Sequence, residues 1–281
     1  MREGLVDRLA RILPGGKGVW VPMDHGISGY PEKGLERMDE VISSCISGGA
    51  DAIVLQKGAL SYFIETTGWS NFICHVSVST VNAGSRDQYK VKVANAEECL
   101  IRGANGVSAQ INLGDENEPE MIEDMGMLTS EALPLGLPTL GMIYPRGPNL
   151  KIAEDDTTRG AAHAARVAWE LGCDVVKVPW TGDIDSFKLV CQAVPIPVLI
   201  SGGPRGISFI DLLEIAKKNH AIMVYASSAA TYGNQPSPQT VGKECPENPY
   251  AFSKYLMDQI AYRYITENAE MIIVGLKYFN V

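Results

Sequence analysis

Seven short apolar runs, most of them separated by helix-length amphipathic segments, limit the possible folds of this chain more than any other feature. The runs are nearly continuous in apolar residues, which is typical of parallel strands that are covered on both faces. They cover residues 19–23, 52–55, 72–78, 106–111, 138–144, 174–178 and 197–200. Helices are predicted between them at residues 34–47, 94–102, 118–135, 159–171 and 208–218. The alternation predicts an α/β fold with a parallel sheet.

Polar residues fall at or just beyond the C-terminal end of each run. They are Asp24, Gln56-Lys57-Gly58, Ser77, Asn112, Tyr144, Lys177 and Ser201-Gly202-Gly203. In a (β/α)8 barrel these ends converge on one mouth, where the chemistry of that fold is located. A doubly wound sheet would bring together only the residues that flank its switch point. We therefore predict a (β/α)8 barrel.

Lys177 lies in the middle of the sixth run, between Val176 and Val178. A lysine is rarely buried without a partner, so its presence in an apolar strand needs a reason. One reason is chemical, because apolar surroundings disfavour an ammonium and leave a free amine that can attack a carbonyl. The other is that the side chain lies on an exposed edge strand or extends to water from the strand end. The strand alone does not decide between them.

Composition excludes several classes of partner. The net charge is −9 and the pI is about 5.0, so nucleic acid and anionic membranes would be repelled. A phosphorylated substrate would need local backbone amides or a few cations. The six cysteines show no CxxC spacing, which predicts reduced thiols in a cytoplasmic protein and no metal site. The first ten residues predict a short amphipathic helix with no signal peptide, and we expect no membrane association.

Five motifs resemble a known family. They are VPMDHG at 21–26, GADAIVLQKG at 49–58, MIYPRG at 142–147, VKVPWTGD at 176–183 and ISGGP at 200–204. In this order they are similar to the archaeal-type class I fructose-bisphosphate aldolases. That family includes the 2-amino-3,7-dideoxy-D-threo-hept-6-ulosonate synthases and a thiolase that acts on a quorum-signal phosphate. The resemblance extends from about residue 5 to residue 218.

The resemblance implies a set of catalytic residues within a (β/α)8 barrel. Lys177 corresponds to the Schiff-base lysine, Tyr144 to the proton-donating tyrosine and Asp24 to the acid/base aspartate. Each of the last two has a second interpretation from its local sequence. Tyr144 could be a packing residue at a strand end before Pro145, and Asp24 could cap the following turn.

The resemblance also implies phosphate binding by the backbone around Ser201, Gly202 and Gly203. Glycines before a helix N-terminus suit that role, because amide groups can then approach a phosphate. We add Arg146, an available cation, and His25 beside Asp24 as substrate-binding candidates. The same stretch lacks the third glycine of a dinucleotide fingerprint, so we expect no cofactor. We expect structural roles for the other histidines, with substrate contact as the alternative for His75, whose strand ends at the mouth.

The last sixty residues resemble a different family. The segments 224–233, 249–254 and 274–281 are similar to extended short-chain dehydrogenases, in particular nucleotide-sugar and heptose epimerases. Ser228, Tyr250 and Lys254 correspond to that family's serine, redox tyrosine and lysine. The family's glycine-rich nucleotide fold is absent, and so is the Gly-Arg-Asn phosphate turn expected after the eighth strand of an aldolase. We therefore predict an aldolase-type barrel at 1–218 and a transplanted segment at 219–281.

A closed barrel requires an eighth strand. Residues 222–228 form an apolar run that could supply this strand, and residues 250–264 would then form the helix that follows it on the outside of the barrel. Residues 271–281 would then have no slot, and we expect them to pack peripherally, to swap into a neighbour or to be poorly ordered.

Taken together, the sequence predicts a Schiff-base aldolase or transaldolase that acts on a phosphorylated sugar, without cofactor, as a homo-oligomer. A catalytically impaired barrel that binds a sugar phosphate and a fragment of an NAD-dependent epimerase are the alternatives. The sequence does not choose between aldolase, transaldolase and thiolase reactions.

Overall fold

The structure is a computed structural model that describes residues 2–30, 35–152, 156–201, 209–218, 223–235, 240–247 and 249–278. The chain divides into two compact units, Met1–Gly203 and Pro204–Val281. None of the helices within these ranges is long and apolar enough to cross a bilayer.

Seven parallel strands form the main sheet of the first unit, in the order β1-β2-β3-β6-β7-β8-β9. Their bounds are β1 Trp20–Pro22, β2 Ala52–Gln56, β3 Phe72–His75, β6 Gly106–Leu113, β7 Thr139–Pro145, β8 Val175–Val178 and β9 Val198–Ile200. The sheet curls like part of a barrel, and it uses all seven predicted runs. The predicted α/β class with a barrel-like parallel sheet is confirmed.

Helices alternate with these strands. They are α1 Arg2–Ile12, α2 Gly26–Gly29, α3 Met38–Ser47, α4 Lys57–Thr67, α5 Ala96–Ile101, α6 Glu118–Leu135, α7 Thr157–Glu170 and α8 Ile184–Gln192. Side chains at their starts cap several of them. Asn95 accepts a hydrogen bond from the amide of Glu98, and Asp156 and Asp183 cap α7 and α8 in the same way.

The predicted run 72–78 is divided into two strands. β3 ends at His75, and Ser77–Val78 form β4, which pairs antiparallel with β5, Val91–Lys92. The amide of Val76 still donates to Ser108 of β6, but the chain then leaves the main sheet. This β4–β5 hairpin brings residues 79–90 to the C-terminal end of the sheet.

Two apolar clusters cover the two faces of the main sheet, because successive side chains of a strand point to opposite faces. The larger cluster packs the strands against the surrounding helices. The smaller one, which we call the inner cluster, includes Val54, Ile73, Leu140, Met142 and Val175, and the end of α1 packs against it. The inner face of the sheet is therefore filled by side chains, as in a barrel interior.

The second unit contains a strand–helix–strand arrangement. It consists of α9 Phe209–Lys218, β10 Met223–Ser228, α10 Pro249–Glu267 and β11 Ile273–Tyr278. β10 pairs in parallel with β11 over its whole length, from Met223 with Ile273 to Ser228 with Tyr278. We expected 271–281 to have no slot in a barrel completed by 222–228; in the structure, residues 273–278 form β11, which pairs with β10.

Candidate active site

A cavity of about 200 Å³ opens at the C-terminal end of the main sheet. Strand ends and the loops that follow them supply its walls. Among the lining side chains are the three candidate catalytic groups Asp24, Tyr144 and Lys177. The predicted substrate-binding residues His25 and Arg146 line the same cavity. The structure therefore brings five of the eight candidate residues together.

Lys177 is on the inner face of β8. It lies two residues after Val175, which belongs to the inner cluster, and alternation along a strand puts both side chains on one face. Its cross-strand partners are Met142 of β7 and Leu199 of β9. Lys177 is half-buried, and its neighbours Val176 and Val178 are fully buried on the helix-facing side. β8 lies between β7 and β9, so the edge-strand alternative is excluded.

Tyr144 lies at the end of β7, and Arg146 is the first residue after that strand. The guanidinium of Arg146 lies 4.9 Å from the centre of the Tyr144 ring, which is a cation–π contact. Nε of Arg146 donates a hydrogen bond to Oδ1 of Asn112, at 2.9 Å. Burial lowers the pKa of Arg146, although Tyr144 and Asp87 raise it. The two side chains therefore hold each other in place at the cavity wall.

Asp24 follows β1 and faces a buried histidine. Its Oδ2 lies 3.8 Å from Nε2 of His75, while its Oδ1 is buried without a hydrogen-bond partner among the described residues. His75 is 2% exposed, and its Nδ1 lies 2.8 Å from Oγ of Ser108. A buried carboxylate oxygen without a donor is unusual and indicates a position where a ligand hydroxyl can bind.

Lys90 adds a cation that the sequence analysis did not identify. It lies in the β4–β5 hairpin, and its Nζ donates to Oγ of Ser79, which itself donates to the carbonyl of Asp87. Burial and the charge of Arg146 lower the pKa of Lys90, while Asp24 and Asp87 raise it. Lys90 was not predicted because it does not lie at the end of a strand of the main sheet. It reaches the cavity from the β4–β5 hairpin.

The remaining predicted site residues lie after β9. The amide of Ser201 donates to the carbonyl of Val178 at 2.8 Å, which continues the pairing of β9 with β8. Gly202 and Gly203 lie outside the described residues. His75, for which we gave a structural role with substrate contact as the alternative, lines the cavity. Its position at the end of a strand was the available signal.

A metal centre has no candidate in the described part of the chain, where no group of three or more metal-ligating side chains comes together. All six cysteines are free thiols. Cys74 and Cys99 are buried next to each other in the larger cluster, and a hydrogen bond between them together with burial raises the pKa of Cys74.

A curled parallel sheet with helices around it and a polar cavity at its C-terminal edge defines the class of β/α-barrel enzymes. Within that class, the chain belongs to the DeoC/LacD family of aldolases, whose pattern matches residues 19–233.

Two curated relatives illustrate the range of the family. A 2-amino-3,7-dideoxy-D-threo-hept-6-ulosonate synthase from Archaeoglobus fulgidus is 36% identical over 200 residues, which cover 71% of this chain and 73% of the relative. The class 1 fructose-bisphosphate aldolase of Thermoproteus tenax is 30% identical over 219 residues, 75% of this chain and 81% of the relative.

A solved structure shows the chemistry of one such relative. It is an archaeal fructose-1,6-bisphosphate aldolase whose catalytic lysine is covalently bound to the carbinolamine intermediate. The TM-score is 0.65 at 26% identity, over 76% of this chain and 86% of that chain. Residues 207–281 match a second pattern, that of the NAD-dependent epimerase/dehydratase family. The predicted resemblance of both parts is confirmed.

Proposed function

We propose that this protein is a Schiff-base aldolase or transaldolase that acts on a phosphorylated sugar. The observation that carries the proposal is that an amine, a phenol and a carboxylate, Lys177, Tyr144 and Asp24, line one cavity at the C-terminal edge of the sheet. Relatives named as a hept-6-ulosonate synthase and as a fructose-bisphosphate aldolase support the reaction class.

Lys177 is the nucleophile in this proposal. Its amine adds to the ketone carbon of the substrate, and the resulting carbinolamine loses water to form an iminium ion. Tyr144, on the neighbouring strand, donates the proton that the departing hydroxyl group needs. The inner-face position of Lys177 supports this role, because it points the amine towards the cavity.

Asp24 acts on the carbon–carbon bond. It takes the proton from the hydroxyl group of the carbon that becomes the aldehyde, while the bonding electrons pass into the iminium and leave an enamine on Lys177. In an aldolase the enamine is protonated and the imine is hydrolysed. In a transaldolase the enamine attacks a second aldehyde, which restores a carbon–carbon bond.

The charges of the cavity favour an anionic substrate. Arg146 and Lys90 both line it, and neither forms an ion pair with a carboxylate among the described residues. Cations at a cavity that have no direct ion pair are stabilised when an anion binds between them. We assign Arg146 and His25 to the substrate, and the backbone at Ser201, Gly202 and Gly203 to its phosphate.

The alternative proposal is an impaired barrel that only binds a sugar phosphate. It arises because the C-terminal segment resembles another family and lacks the phosphate turn expected of an aldolase. We keep the division into an aldolase-type part at 1–218 and an epimerase-like part at 219–281. The pairing of β10 with β11 favours the idea that this segment keeps the local fold of its own family. We further infer a homo-oligomer that acts in the cytoplasm; the free thiols of all six cysteines are typical of a reducing compartment and bear only on the location.

Cleavage of fructose 1,6-bisphosphate, followed by a coupled assay for the triose phosphates, tests the proposal. Lys177→Met should abolish cleavage, because it removes the amine that forms the iminium in this proposal. Lys188→Met, an exposed lysine on α8, is the matched control and should leave the rate unchanged. If the wild type cleaves no ketose phosphate but binds one reversibly, the impaired-barrel alternative is correct.

A further inference from the structure

His75 lies beside the candidate base and has no part in the chemistry proposed above. It is the last residue of β3, it is 2% exposed, and it lines the cavity. Nδ1 lies 2.8 Å from Oγ of Ser108 on β6, so one edge of the ring is held by a neighbouring strand. The other edge faces Asp24, with Nε2 at 3.8 Å from Oδ2.

The carboxylate of Asp24 has two different surroundings. Oδ2 faces the imidazole, whereas Oδ1 is buried and has no hydrogen-bond partner in the described part of the chain. A carboxylate rotates freely about its terminal bond unless one oxygen is held. A donor on Oδ2 would therefore fix the direction in which Oδ1 receives a proton from substrate.

The charge and tautomer of the ring decide whether it can be that donor. Burial lowers the pKa of His75 below its ordinary value of 6.5, and Lys90, Lys177 and His25 lower it further, while Asp24 raises it. The ring is therefore neutral at neutral pH and carries a single N–H.

Two tautomers are then open. With the proton on Nε2, His75 faces Asp24 as a donor and accepts from Ser108 at Nδ1. With the proton on Nδ1, Nε2 would accept from Ser77, whose Oγ is 3.5 Å away. The negative charge of Asp24, whose Oδ2 lies 3.8 Å from Nε2, favours an N–H on the nitrogen that faces it, which is the first tautomer.

We propose that His75 is a positioning residue whose Nε2–H holds Oδ2 of Asp24 and thereby aims Oδ1 at the substrate hydroxyl. The inference rests on the proposed function, because it takes Asp24 as the base. The present separation of 3.8 Å is longer than a hydrogen bond. It closes in the substrate complex, where active-site hydrogen bonds tighten. His75 itself neither gains nor loses a proton in the cycle.

Nitrogen NMR of protein labelled with ¹⁵N-histidine tests the tautomer without substrate. The four histidines give separate signals, and His75→Asn identifies the signal of interest. We expect a neutral ring with its proton on Nε2 at neutral pH. A proton on Nδ1, or an imidazolium, would overturn the proposal. Because no turnover is needed, this result is independent of whether the protein is an aldolase.

A pair of substitutions tests the function of the N–H. Gln places an amide N–H near the position of Nε2, whereas Asn reaches only the position of Nδ1. We expect His75→Asn to lower kcat about tenfold or more, as is typical when a group that orients a site residue is removed. KM and the adduct trapped on Lys177 should be unchanged. His75→Gln should recover most of kcat.

The pH profile separates this role from a merely structural one. Loss of the donor destabilises the ionised form of Asp24, so the acid limb of the rate profile should move to higher pH in His75→Asn and return in His75→Gln. His163→Asn, on the exposed side of α7, is the control. Equal losses in both His75 variants with an unmoved acid limb would overturn the proposal. If the wild type forms no adduct and cleaves no sugar phosphate, the proposed function fails instead.

Discussion

The half-buried Lys90 and the more exposed Arg146 are cations at one cavity, and neither has an ion-pair partner among the described residues. Burial lowers the pKa of both groups, which means that the surroundings disfavour their charged forms. Taking a charge out of water costs stability unless a partner compensates, and this cost applies most to the half-buried Lys90. The two charges are therefore explained by a ligand that carries the opposite charge.

Lys90→Met tests this explanation, because it keeps the length of the side chain and removes the charge. We expect KM for the sugar phosphate to rise about tenfold, since a hydrogen bond to a charged group contributes about 1.5–3 kcal/mol. The melting temperature should be equal to that of the wild type or higher. An unchanged KM, with Lys188→Met as the reference, would show that Lys90 does not contact the anion.

Asp24→Asn separates the two halves of the proposed reaction. The amide cannot take a proton from the substrate hydroxyl, so kcat for cleavage should fall by about 10²–10⁴. Imine formation on Lys177 does not need this base and should persist. Steady-state rates and borohydride trapping measure the two steps separately, and loss of trapping in this variant would contradict the assigned role.

At the scale of elements, two loops meet at the cavity and fix the position of Arg146. Gly147, directly after it, packs against the loop that follows β6, and a Cβ built there would lie 1.9 Å from the carbonyl carbon of Gly114. The amide of Gly147 also donates to Leu113 at 2.8 Å. No side chain can be accommodated without moving one of the two loops.

Gly147→Ala should therefore destabilise the protein by about 1–3 kcal/mol or more, as is typical of overpacking. It should also weaken substrate binding, because Arg146 moves with the loop. Gly126→Ala is a matched control in the interior of α6, where a Cβ meets nothing within 4 Å. That control should stabilise the helix by about 0.5–1 kcal/mol. Similar melting temperatures for both variants would contradict the close approach.

The alternation of strands and helices could be predicted from the sequence, because parallel strands that are buried on both faces need continuous apolar runs. The helix α6 was predicted at its observed bounds, Glu118–Leu135, where Gly136 in the left-handed conformation ends it. The break of the run 72–78 at Val76 could not be predicted. β4 leaves the sheet to pair with β5, and that pairing depends on tertiary context.

The candidate site was predictable only where residues terminate strands of the main sheet. Asp24, Tyr144 and Lys177 fall at such positions, and all three line the cavity. Lys90 reaches the same cavity from the β4–β5 hairpin. Neither hydrophobic periodicity nor a motif spacing in the sequence identifies this residue. The partner of β10 was also undetermined, because the apolar run 223–228 suits either a barrel or the parallel pairing with β11 that is observed.

For the whole molecule, the buried neutral His75 predicts how stability depends on pH. Its folded pKa lies below the ordinary value of 6.5, so the unfolded chain binds more protons as pH falls through 6.5. The contribution of His75 to stability is therefore complete above that value and is lost as pH falls towards the folded pKa. Melting temperature should decrease over this range more steeply in the wild type than in His75→Asn. Parallel curves would contradict a depressed pKa.

The most direct test of the account is borohydride reduction in the presence of dihydroxyacetone phosphate, followed by peptide mass mapping. The central claim is that one amine on the inner face of β8 forms the imine. We predict a single reduced adduct, on the peptide that contains Lys177, and its loss in Lys177→Met but not in Lys188→Met. No adduct, or an adduct on another lysine such as Lys90, would contradict the claim.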